Sequence, residues 1–408
     1  MQGNLVEYTF SVTEWLRPYF TTERMFLEYD RDMTSVPYSI LSIPFVGSFI
    51  AFAWLTDSVL WVRDIDKTFY DSVPNIKRAY QEIYDHYHFG GRLVSAIISR
   101  NELKPADSDT KALLLFSGGA DAHCTFIRNK DKHSLLCNIQ GWYDSLVSVN
   151  FAADADKRDI TKFAEDFNSP FCYVRSNFAK VVNEKYFDKT ITPKVGDTWW
   201  HGFLHSMAFI SIAIPVAYSE CISEIMIASS LTIGLNHYCA SNSTTDSEFN
   251  FARIGFTTHD GFELNRQGKM GVIVGFQRQL SKPYNIRVCS FNDHNCCECE
   301  KCFRTVLGIV AEGGDPKDFG FCMDKPLTEH WQSVMDRRAG LMGFGSEKEI
   351  HWPHIRRRMK ENYATMNDEQ KAFVDWFLNF DFDKAKKEGL RRYYRQNFFS
   401  ILKRKLGM

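Results

Sequence analysis

One glycine-rich segment has the residue types needed to bind phosphate, and it directly follows an apolar run at residues 112–116. Glycines leave backbone N–H groups open to phosphate oxygens, and a helix after the turn points its positive dipole end at the same place. An aspartate there can hold Mg²⁺ against a leaving pyrophosphate. An ordinary glycine turn is the alternative. The candidate phosphate-binding residues are Phe116, Ser117, Gly118, Gly119, Ala120, Asp121 and Ala122.

Four cysteines farther along the chain are spaced like the ligands of one metal ion. They follow the pattern C-x6-C-x2-C-x2-C and are Cys289, Cys296, Cys299 and Cys302. Four thiolates at this spacing can surround one tetrahedral, structural Zn²⁺, with the short steps forming a zinc knuckle. Disulfides are weak competitors because x2 steps close strained loops, whereas an iron–sulfur cluster is a serious alternative. A fifth cysteine, Cys297, is either a spare knuckle residue or a nucleophile.

The glycine-rich segment resembles the S-G-G-x-D-S signature of the PP-loop ATP pyrophosphatases, which ends the first strand of a parallel sheet. Ala122 stands where the signature has its final serine, so one hydroxyl that usually meets phosphate is missing. The resemblance implies that ATP binds with Mg²⁺, is cleaved between its α and β phosphates, and activates a substrate as an adenylate. The Walker A pattern G-x-x-x-x-G-K-[ST] does not occur in the chain.

The order of the two motifs resembles the QueC family, the 7-cyano-7-deazaguanine synthases. Residues 295–305, N-C-C-E-C-E-K-C-F-R-T, are similar to the N-C-G-x-C-x-K-C-x-R-T segment of QueC-like proteins, and the resemblance covers residues 108–315. It implies that the carboxylate of 7-carboxy-7-deazaguanine is adenylated, converted with ammonia into an amide and dehydrated to a nitrile. The flanks resemble divergent, QatC-like members from bacterial antiviral defence, which implies a protein amine as a further acceptor.

Three residues are candidate substrate-binding groups, each with a structural alternative. Asn177 can contact nucleotide or substrate, although a loop asparagine is more often a turn former. His201, near the start of a long apolar helix, faces the nucleotide or packs against Trp200. Asp246 ends a polar stretch, residues 241–246, that resembles the substrate loop of QueC-like proteins. Its carboxylate can accept two N–H groups of a deazapurine, or it caps a helix.

Two basic residues, Arg266 and Lys269, lie three apart and would share one face of a helix. The resemblance places an R-x-x-K pair of this kind near the active site, where preorganised cations stabilise the negative charge of an adenylation transition state. We predict that the pair acts in catalysis together with Asp121. A solvated basic face is the alternative, and His259 and Asp260 are weaker candidates.

The elements around these residues predict an α/β fold with a doubly wound parallel sheet, which the resemblance makes adenine nucleotide alpha hydrolase-like. Strand and helix patterns alternate from residue 112 to residue 230, and the last sheet strand is expected at 224–230. Ligands should bind at the carboxyl ends of the strands, where Gly141 and residues 176–177 join the glycine-rich segment. The apolar run at residues 43–55 is too short to span a bilayer and is expected to be a buried strand.

We expect three regions: an N-terminal α+β domain (1–107), a PP-loop domain with the four-cysteine site (108–315), and a C-terminal helical, basic extension (316–408). The first is either a scaffold or a module for a partner or a dimer. Residues 384–405 carry nine basic residues against one acid, with aromatic residues between them. This stretch binds nucleic acid, docks on a partner or forms a solvated helix of the protein itself.

Composition narrows the class of protein further. With 44% hydrophobic residues, the 408-residue chain can bury a sizeable core, and its net charge of −1 gives no preference for nucleic acid or membrane. Eleven cysteines and no signal peptide favour a reducing cytoplasm. Two rival functions stay open. One is tRNA sulfuration, which needs a cluster or a catalytic cysteine pair, and the other is a non-catalytic nucleotide-binding module.

Overall fold

The computed structural model describes residues 3–104, 108–142, 149–235, 238–289 and 292–397. The chain divides into two compact units, Met1–Leu264 and Asn265–Met408. The first unit holds a mostly parallel mixed sheet with helices, so the protein belongs to the α/β class. The division falls at residue 264, and the boundaries at 107 and 315 stay predictions of the sequence.

The first unit contains strands and helices in alternation over most of its length. The strands of its described part are β1 (Leu5–Thr9), β2 (Arg24–Tyr29), β3 (Val59–Asp66), β4 (Arg92–Ser99), β5 (Ala112–Leu115), β6 (Leu135–Gln140), β7 (Phe171–Ser176), β8 (Glu224–Ala228), β9 (Asn250–Phe251) and β10 (Gly255–Asp260). The α-helices are α1 (Tyr38–Leu41), α2 (Ile43–Leu55), α3 (Lys67–Ile83), α4 (Ala120–Arg128), α5 (Val149–Asp166), α6 (Phe178–Val181), α7 (Glu184–Thr190), α8 (Thr192–Val195), α9 (His205–Ser219) and α10 (Ser243–Asp246).

The main sheet has eight strands in the order β1-β2-β7-β6-β5-β8-β10-β9, while β3 and β4 form a separate parallel pair. Its five central strands, from β7 to β10, are parallel. The first of these along the chain, β5, lies in the middle, with β6 on one side and β8 on the other. The strand order therefore reverses at β5, and in open α/β sheets ligands bind beyond the carboxyl ends of the strands at such a reversal. The alternation of strands and helices predicted for residues 112–230 is confirmed.

Two N-terminal strands extend this sheet beyond β7. β1 pairs antiparallel with β2, and β2 pairs antiparallel with β7, where Leu27 lies opposite Ser176. Leu27 and Tyr29 of β2 are buried against the core beneath the sheet. Residues before 107 therefore take part in the central sheet rather than standing wholly apart from it. The sequence could not reveal this pairing because the partner strands lie far apart along the chain.

The apolar run at residues 43–55 is the helix α2, so the prediction of a buried strand was wrong. All thirteen residues of α2 are buried, and a run without a polar face has no period from which helix and strand can be distinguished. The proline near its start is compatible with a first helical turn. α2 packs against α9, and Gly47 permits this close approach because a Cβ there would lie 2.2 Å from Ser211 Oγ.

The parallel sheet has one strand more than the sequence predicts, because β10 follows the strand expected as the last, at residues 224–230. Its residues G-F-T-T-H-D are mostly polar, whereas parallel strands normally read as apolar runs. The strand pairs in parallel with β8 and is followed outward by β9. This pairing brings His259 and Asp260 to the carboxyl edge of the sheet.

One helical stretch in the described part of the chain, Trp199–Ser219, is long and apolar enough to cross a membrane by length and composition alone. It joins a π-helical turn, Trp199–Leu204, to α9. However, 78% of its most apolar window is buried inside the protein, and α9 contacts β5, β6 and β8. Burial of this extent is typical of a core helix.

The second unit is built around helices, which are α11 (Arg266–Gln277), α12 (Glu300–Ala311), α13 (Leu327–Arg338), α14 (Ser346–Asn362), α15 (Asp368–Asn379) and α16 (Phe382–Gln396). Aromatic rings fill its core. Phe303 of α12 lies against Trp331 of α13 with 4.6 Å between ring centroids, and Trp352 of α14 meets Phe377 of α15 at 5.2 Å. The helical character predicted for residues 316–408 is confirmed for α13 to α16.

The basic C-terminal stretch is partly described. α16 carries its first six basic residues, and the side chains of Tyr393 and Tyr394 are exposed. Residues 398–408, which include Phe398 and Phe399, lie outside the described residues. The three interpretations of this stretch therefore stay predictions.

Candidate functional site

The glycine-rich turn lies where the strand order reverses. Beyond β5, Phe116 N–H donates to Cys137 O (2.8 Å), and Asn138 Nδ2 donates to Phe116 O (3.1 Å), which fixes the start of the turn. Gly118 has φ +74°, in the left-handed region that favours glycine. Gly119 then starts α4, and within the described chain no side chain caps this helix. The first N–H groups of α4 therefore point beyond the edge of the sheet, as an anion-binding turn requires.

Aromatic rings support this turn from below. The ring of Phe116 stacks on Phe163 at 5.1 Å, and the His123 imidazole meets Phe163 edge-on at 4.7 Å. His123 Nδ1 lies 2.9 Å from Gly119 O. Because a carbonyl only accepts, this nitrogen carries the hydrogen and donates. Burial lowers the pKa of His123 to about 4, so the ring is neutral at neutral pH and holds the turn through one hydrogen bond.

We expect this buried imidazole to make the free energy of unfolding fall as the pH is lowered through the acid range. The unfolded chain binds a proton at the ordinary histidine pKa of 6.5, whereas the folded chain binds it only near 4. Protons therefore favour unfolding below pH 6.5, by about 3 kcal/mol at the lower end of that window. His123→Phe should remove this component. Urea denaturation between pH 6.5 and 4 measures it, and the exposed His88→Phe is the control. Equal pH slopes in H123F and wild type would contradict the assignment.

Three residues after the turn occupy the first turn of α4. Ala120 and Ala122 are buried, so the methyl group at the position of the missing serine belongs to the core. Asp121 is half-buried, and its place in the first turn suits an acidic group near the positive end of the helix dipole. Ser117 is exposed, with Oγ 3.4 Å from Gly119 N. These residues could hold a phosphate and its Mg²⁺.

The ends of the neighbouring strands β6 and β7 are in close backbone contact and leave no gap between them at Gly141. Gly141 has φ +114°, and a Cβ there would lie 1.7 Å from Ser176 O, so only glycine permits this approach of two backbones. Asn177 accepts from Phe26 N–H through Oδ1 (2.9 Å) and donates to Arg24 O through Nδ2 (3.1 Å). Both polar ends of Asn177 thus fasten β2 beside β7. This geometry favours the structural alternative, and a substrate-binding role of Asn177 stays a prediction.

His201 lies in the π-helical turn before α9. Its Nδ1 lies 2.8 Å from Asp197 Oδ1, and this hydrogen bond raises the pKa of His201 above its ordinary value. Its side chain is 41% exposed, and its backbone O accepts from Ala240 N–H at 2.8 Å. The adjacent Trp200 stacks on Trp142 at 5.8 Å. A partly exposed imidazole fixed by a carboxylate can serve as a hydrogen-bond donor to an anion, and the substrate-binding role of His201 stays a prediction.

Asp246 forms a buried pair with His259, which sequence reasoning had ranked low. Asp246 Oδ2 lies 2.8 Å from His259 Nδ1 and accepts from Ser241 Oγ at 3.1 Å. The two side chains are 0% and 1% exposed. Asn242, not Asp246, caps α10, so the helix-cap alternative was wrong. The pair forms because β10 brings His259 next to Asp246, which lies thirteen positions earlier in the chain. The signal in the sequence that could have indicated the pair is a histidine within a polar strand.

Two polar atoms of this pair have no hydrogen-bond partner among the described residues. They are Asp246 Oδ1 and His259 Nε2, both shielded from solvent. A buried polar atom without a partner costs about 1–3 kcal/mol, so it calls for a functional explanation. Because Oδ2 already accepts two hydrogen bonds, Oδ1 is the carboxylate oxygen of Asp246 left for a substrate in this arrangement, and its substrate-binding role stays a prediction.

The second unit brings the four predicted ligands together. The sulfurs of Cys289, Cys296, Cys299 and Cys302 all lie within 4.8 Å of one another. Cys296 Sγ and Cys302 Sγ are 3.9 Å apart, close to the roughly 3.8 Å that a tetrahedron with Zn–S bonds of about 2.3 Å gives. The cluster could therefore hold a structural metal such as zinc, as the spacing predicted.

The surrounding backbone is shaped for such a metal. Cys299 caps α12, where its Sγ accepts from Cys302 N–H at 3.5 Å, and Cys296 Sγ accepts from Glu298 N–H at 3.4 Å. Asn295 Nδ2 donates to Ile286 O at 2.8 Å and secures the loop between ligands. N–H groups directed at sulfur stabilise thiolates, which are the ligands of zinc.

The extra cysteine lies outside this tetrahedron. Cys297 has φ +51°, and its Sγ lies 3.5 Å from Asn295 O. Burial raises the pKa of the Cys297 thiol to about 12, so it stays protonated. A buried, protonated thiol is a poor nucleophile, which favours the interpretation of Cys297 as a spare knuckle residue.

Arg266 and Lys269 lie in the first turn of α11, whose cap is Asn265 through its bond to Gly268 N–H (2.9 Å). Lys269 is 2% exposed, whereas Arg266 is half-buried. Cations at the positive end of a helix dipole are unfavourable there, so helix stability does not account for the pair, and the Arg266 guanidinium interacts electrostatically with the carboxylate of Glu300. Both residues belong to the second unit, and their catalytic role stays a prediction.

Comparison with known proteins adds no assignment. No protein-family model matches the chain, and no curated protein matches it.

Proposed function

We propose that this protein is an ATP-dependent, QueC-like ligase that activates a carboxylate as its adenylate and joins it to an amine. The observation that carries the proposal is the glycine turn at residues 117–119, which lies at the strand-order reversal and directly before the N-terminus of α4. Turns of this kind bind the phosphates of nucleotides. The S-G-G-x-D sequence, rather than a Walker A loop, favours a PP-loop fold and cleavage between the α and β phosphates.

The proposed reaction has two steps. A carboxylate oxygen attacks the α-phosphorus of ATP, the bond to the bridging oxygen breaks, and pyrophosphate leaves with that electron pair. An amine nitrogen then attacks the acyl carbon, the carbon–oxygen bond to AMP breaks, and the nitrogen loses one proton. Asp121 would hold the Mg²⁺ that accompanies ATP and neutralises charge on the phosphates. Catalysis of this kind rests on positioning and on stabilisation of negative charge.

The proposed substrate is a small, planar heteroaromatic acid of the 7-carboxy-7-deazaguanine type. Its amine partner is ammonia or an amine on a protein. In the structure Asp246 has one carboxylate oxygen left to accept a hydrogen bond, so it would contact at most one edge group of the base. Recognition of the heterocycle would then depend on further groups, of which the partly exposed His201 is one.

The proposed zinc would stabilise the fold and would not take part in the reaction. Four thiolates close its coordination shell, so no position is left for water or substrate. Its ligands must stay reduced, which fits the cytoplasm that we propose as the location of the protein. The metal would fasten the loop at residues 289–299 to the start of α12.

Pyrophosphate exchange tests the proposed function. With ATP, Mg²⁺ and labelled pyrophosphate, we expect label to enter ATP only when 7-carboxy-7-deazaguanine is present, because adenylation is reversible. The matched compound without the carboxyl group should give no exchange. Mass spectrometry of the products then distinguishes amide from nitrile and free from protein-bound acid. Absence of exchange with this acid and with related heteroaromatic carboxylates would contradict a ligase and favour a nucleotide-binding module.

A further inference from the structure

The buried pair of Asp246 and His259 has the geometry of an oriented base. An ionised carboxylate can only accept, so the hydrogen of the 2.8 Å bond lies on His259 Nδ1. In the tautomer that donates from Nδ1, the lone pair of the ring lies at Nε2, on the side facing away from Asp246. Catalytic and metal-binding histidines are commonly fixed in one tautomer by a carboxylate in this way.

The pair is held more firmly than its single hydrogen bond indicates. Ser241 Oγ donates to the same carboxylate oxygen at 3.1 Å, and the ring of Phe262 lies edge-on to His259 at 5.9 Å. The His259 backbone is fixed in β10 opposite Ile227 of β8. A side chain so restrained holds Nε2 in one direction, as proton transfer to a bound substrate requires.

The position of this base relative to the glycine turn suits the proposed reaction. His259 lies one residue before the carboxyl end of β10, and residues 117–119 follow the carboxyl end of β5. One strand, β8, separates β5 from β10. Neighbouring strands are about 4.8 Å apart, so the two strand axes are roughly 10 Å apart. An acyl group attached to an α-phosphate at the turn can extend over a distance of this order along the same edge.

We propose that His259 Nε2 accepts the proton released when the amine attacks the acyl-adenylate, with Asp246 as the positioning residue. This inference rests on the proposed function. As the new carbon–nitrogen bond forms, a proton passes from nitrogen to Nε2, and the carbon–oxygen bond to AMP breaks with its electron pair on the phosphate oxygen. Asp246 stabilises the resulting imidazolium through the bond to Nδ1. The absence of a described partner for His259 Nε2 is thereby explained by a step that needs a base.

His259→Asn tests this role because the asparagine Nδ2 can replace the Nδ1 donor to Asp246 while Nε2 is removed. We expect pyrophosphate exchange within about twofold of wild type and amide formation about 100-fold slower. Hydroxylamine, a weakly basic nucleophile that needs less help from a base, should restore most of the lost rate. Asp246→Asn should slow amide formation about 10-fold more than it slows exchange, because exchange senses only the contact of Asp246 with the acid.

The matched control is His205→Gln, which removes a half-buried imidazole from the same unit; His205 Nδ1 lies 3.0 Å from Trp200 O. We expect it to change amide formation by less than about threefold. Wild-type exchange with no loss of amide formation in H259N overturns the role of His259. Equal loss of exchange and amide formation in both H259N and D246N also overturns it, because it indicates a structural pair. Absence of exchange in the wild type contradicts the proposed function itself.

Discussion

Replacing Cys302 with serine is expected to release the metal and to unfold the loop that precedes α12. Cys302 is completely buried, and its sulfur lies 3.9 Å from that of Cys296. Structural zinc contributes roughly 10–16 kcal/mol of binding free energy in small sites, which is comparable with the whole stability of a typical domain, about 5–15 kcal/mol. We expect one zinc per wild-type chain and almost none in C302S by elemental analysis. Protease cleavage between residues 289 and 299 should follow.

The matched control lies among the same cysteines. Cys297→Ser should keep the full zinc content, because the Cys297 thiol is protonated and bonds to a backbone carbonyl rather than to the cluster. Zinc retained in C302S, or lost equally in C297S, would contradict the four-ligand assignment. Iron in place of zinc, with strong visible absorbance, would instead favour the sulfuration chemistry that competes with the ligase proposal.

The local parts of the candidate site were predictable because their signals are short-range. A strand followed by Ser-Gly-Gly and an amphipathic helix determines the turn at Gly118. Cysteines separated by only two residues have their sulfurs close together, whatever the fold of the rest of the chain. Both features appear in the structure where the sequence placed them. Prediction also succeeded for β5 to β8, since each is a compact apolar run bounded by polar residues.

The parts that were missed depend on distant partners. Asn177 binds the backbone of β2, a strand about 150 residues earlier, and nothing near Asn177 in the sequence indicates that. The pair of Asp246 and His259 requires β10, whose polar sequence is untypical of a parallel strand. The helix α2 was taken for a strand because complete burial removes the polar face that would reveal its period. Long-range pairing and complete burial thus account for the main errors.

Replacing Asp121 with asparagine is expected to lower pyrophosphate exchange about 1,000-fold while the protein stays folded. The amide keeps the shape of the side chain and removes the charge that would hold Mg²⁺ beside the phosphates, and loss of one preorganised electrostatic contact slows catalysis by about 100- to 1,000-fold. An acidic group in the first turn of a helix contributes about 0.3–1 kcal/mol through the helix dipole. Urea denaturation of D121N measures the whole cost of the change, and a variant that is fully folded under the assay conditions excludes unfolding as the cause of the lost exchange.

Asp131→Asn provides the comparison, because Asp131 is an exposed acid in the short 3-10 turn that follows α4. We expect its exchange rate to stay within about twofold of wild type, since an exposed charge outside the turn makes no preorganised contact with the phosphates. If the Asp121 carboxylate binds Mg²⁺, excess Mg²⁺ should restore part of the activity of D121N by mass action. Full activity in D121N at low Mg²⁺ would show that the glycine turn works without this carboxylate. The magnesium dependence thus separates a metal-binding role of Asp121 from a helix-stabilising one.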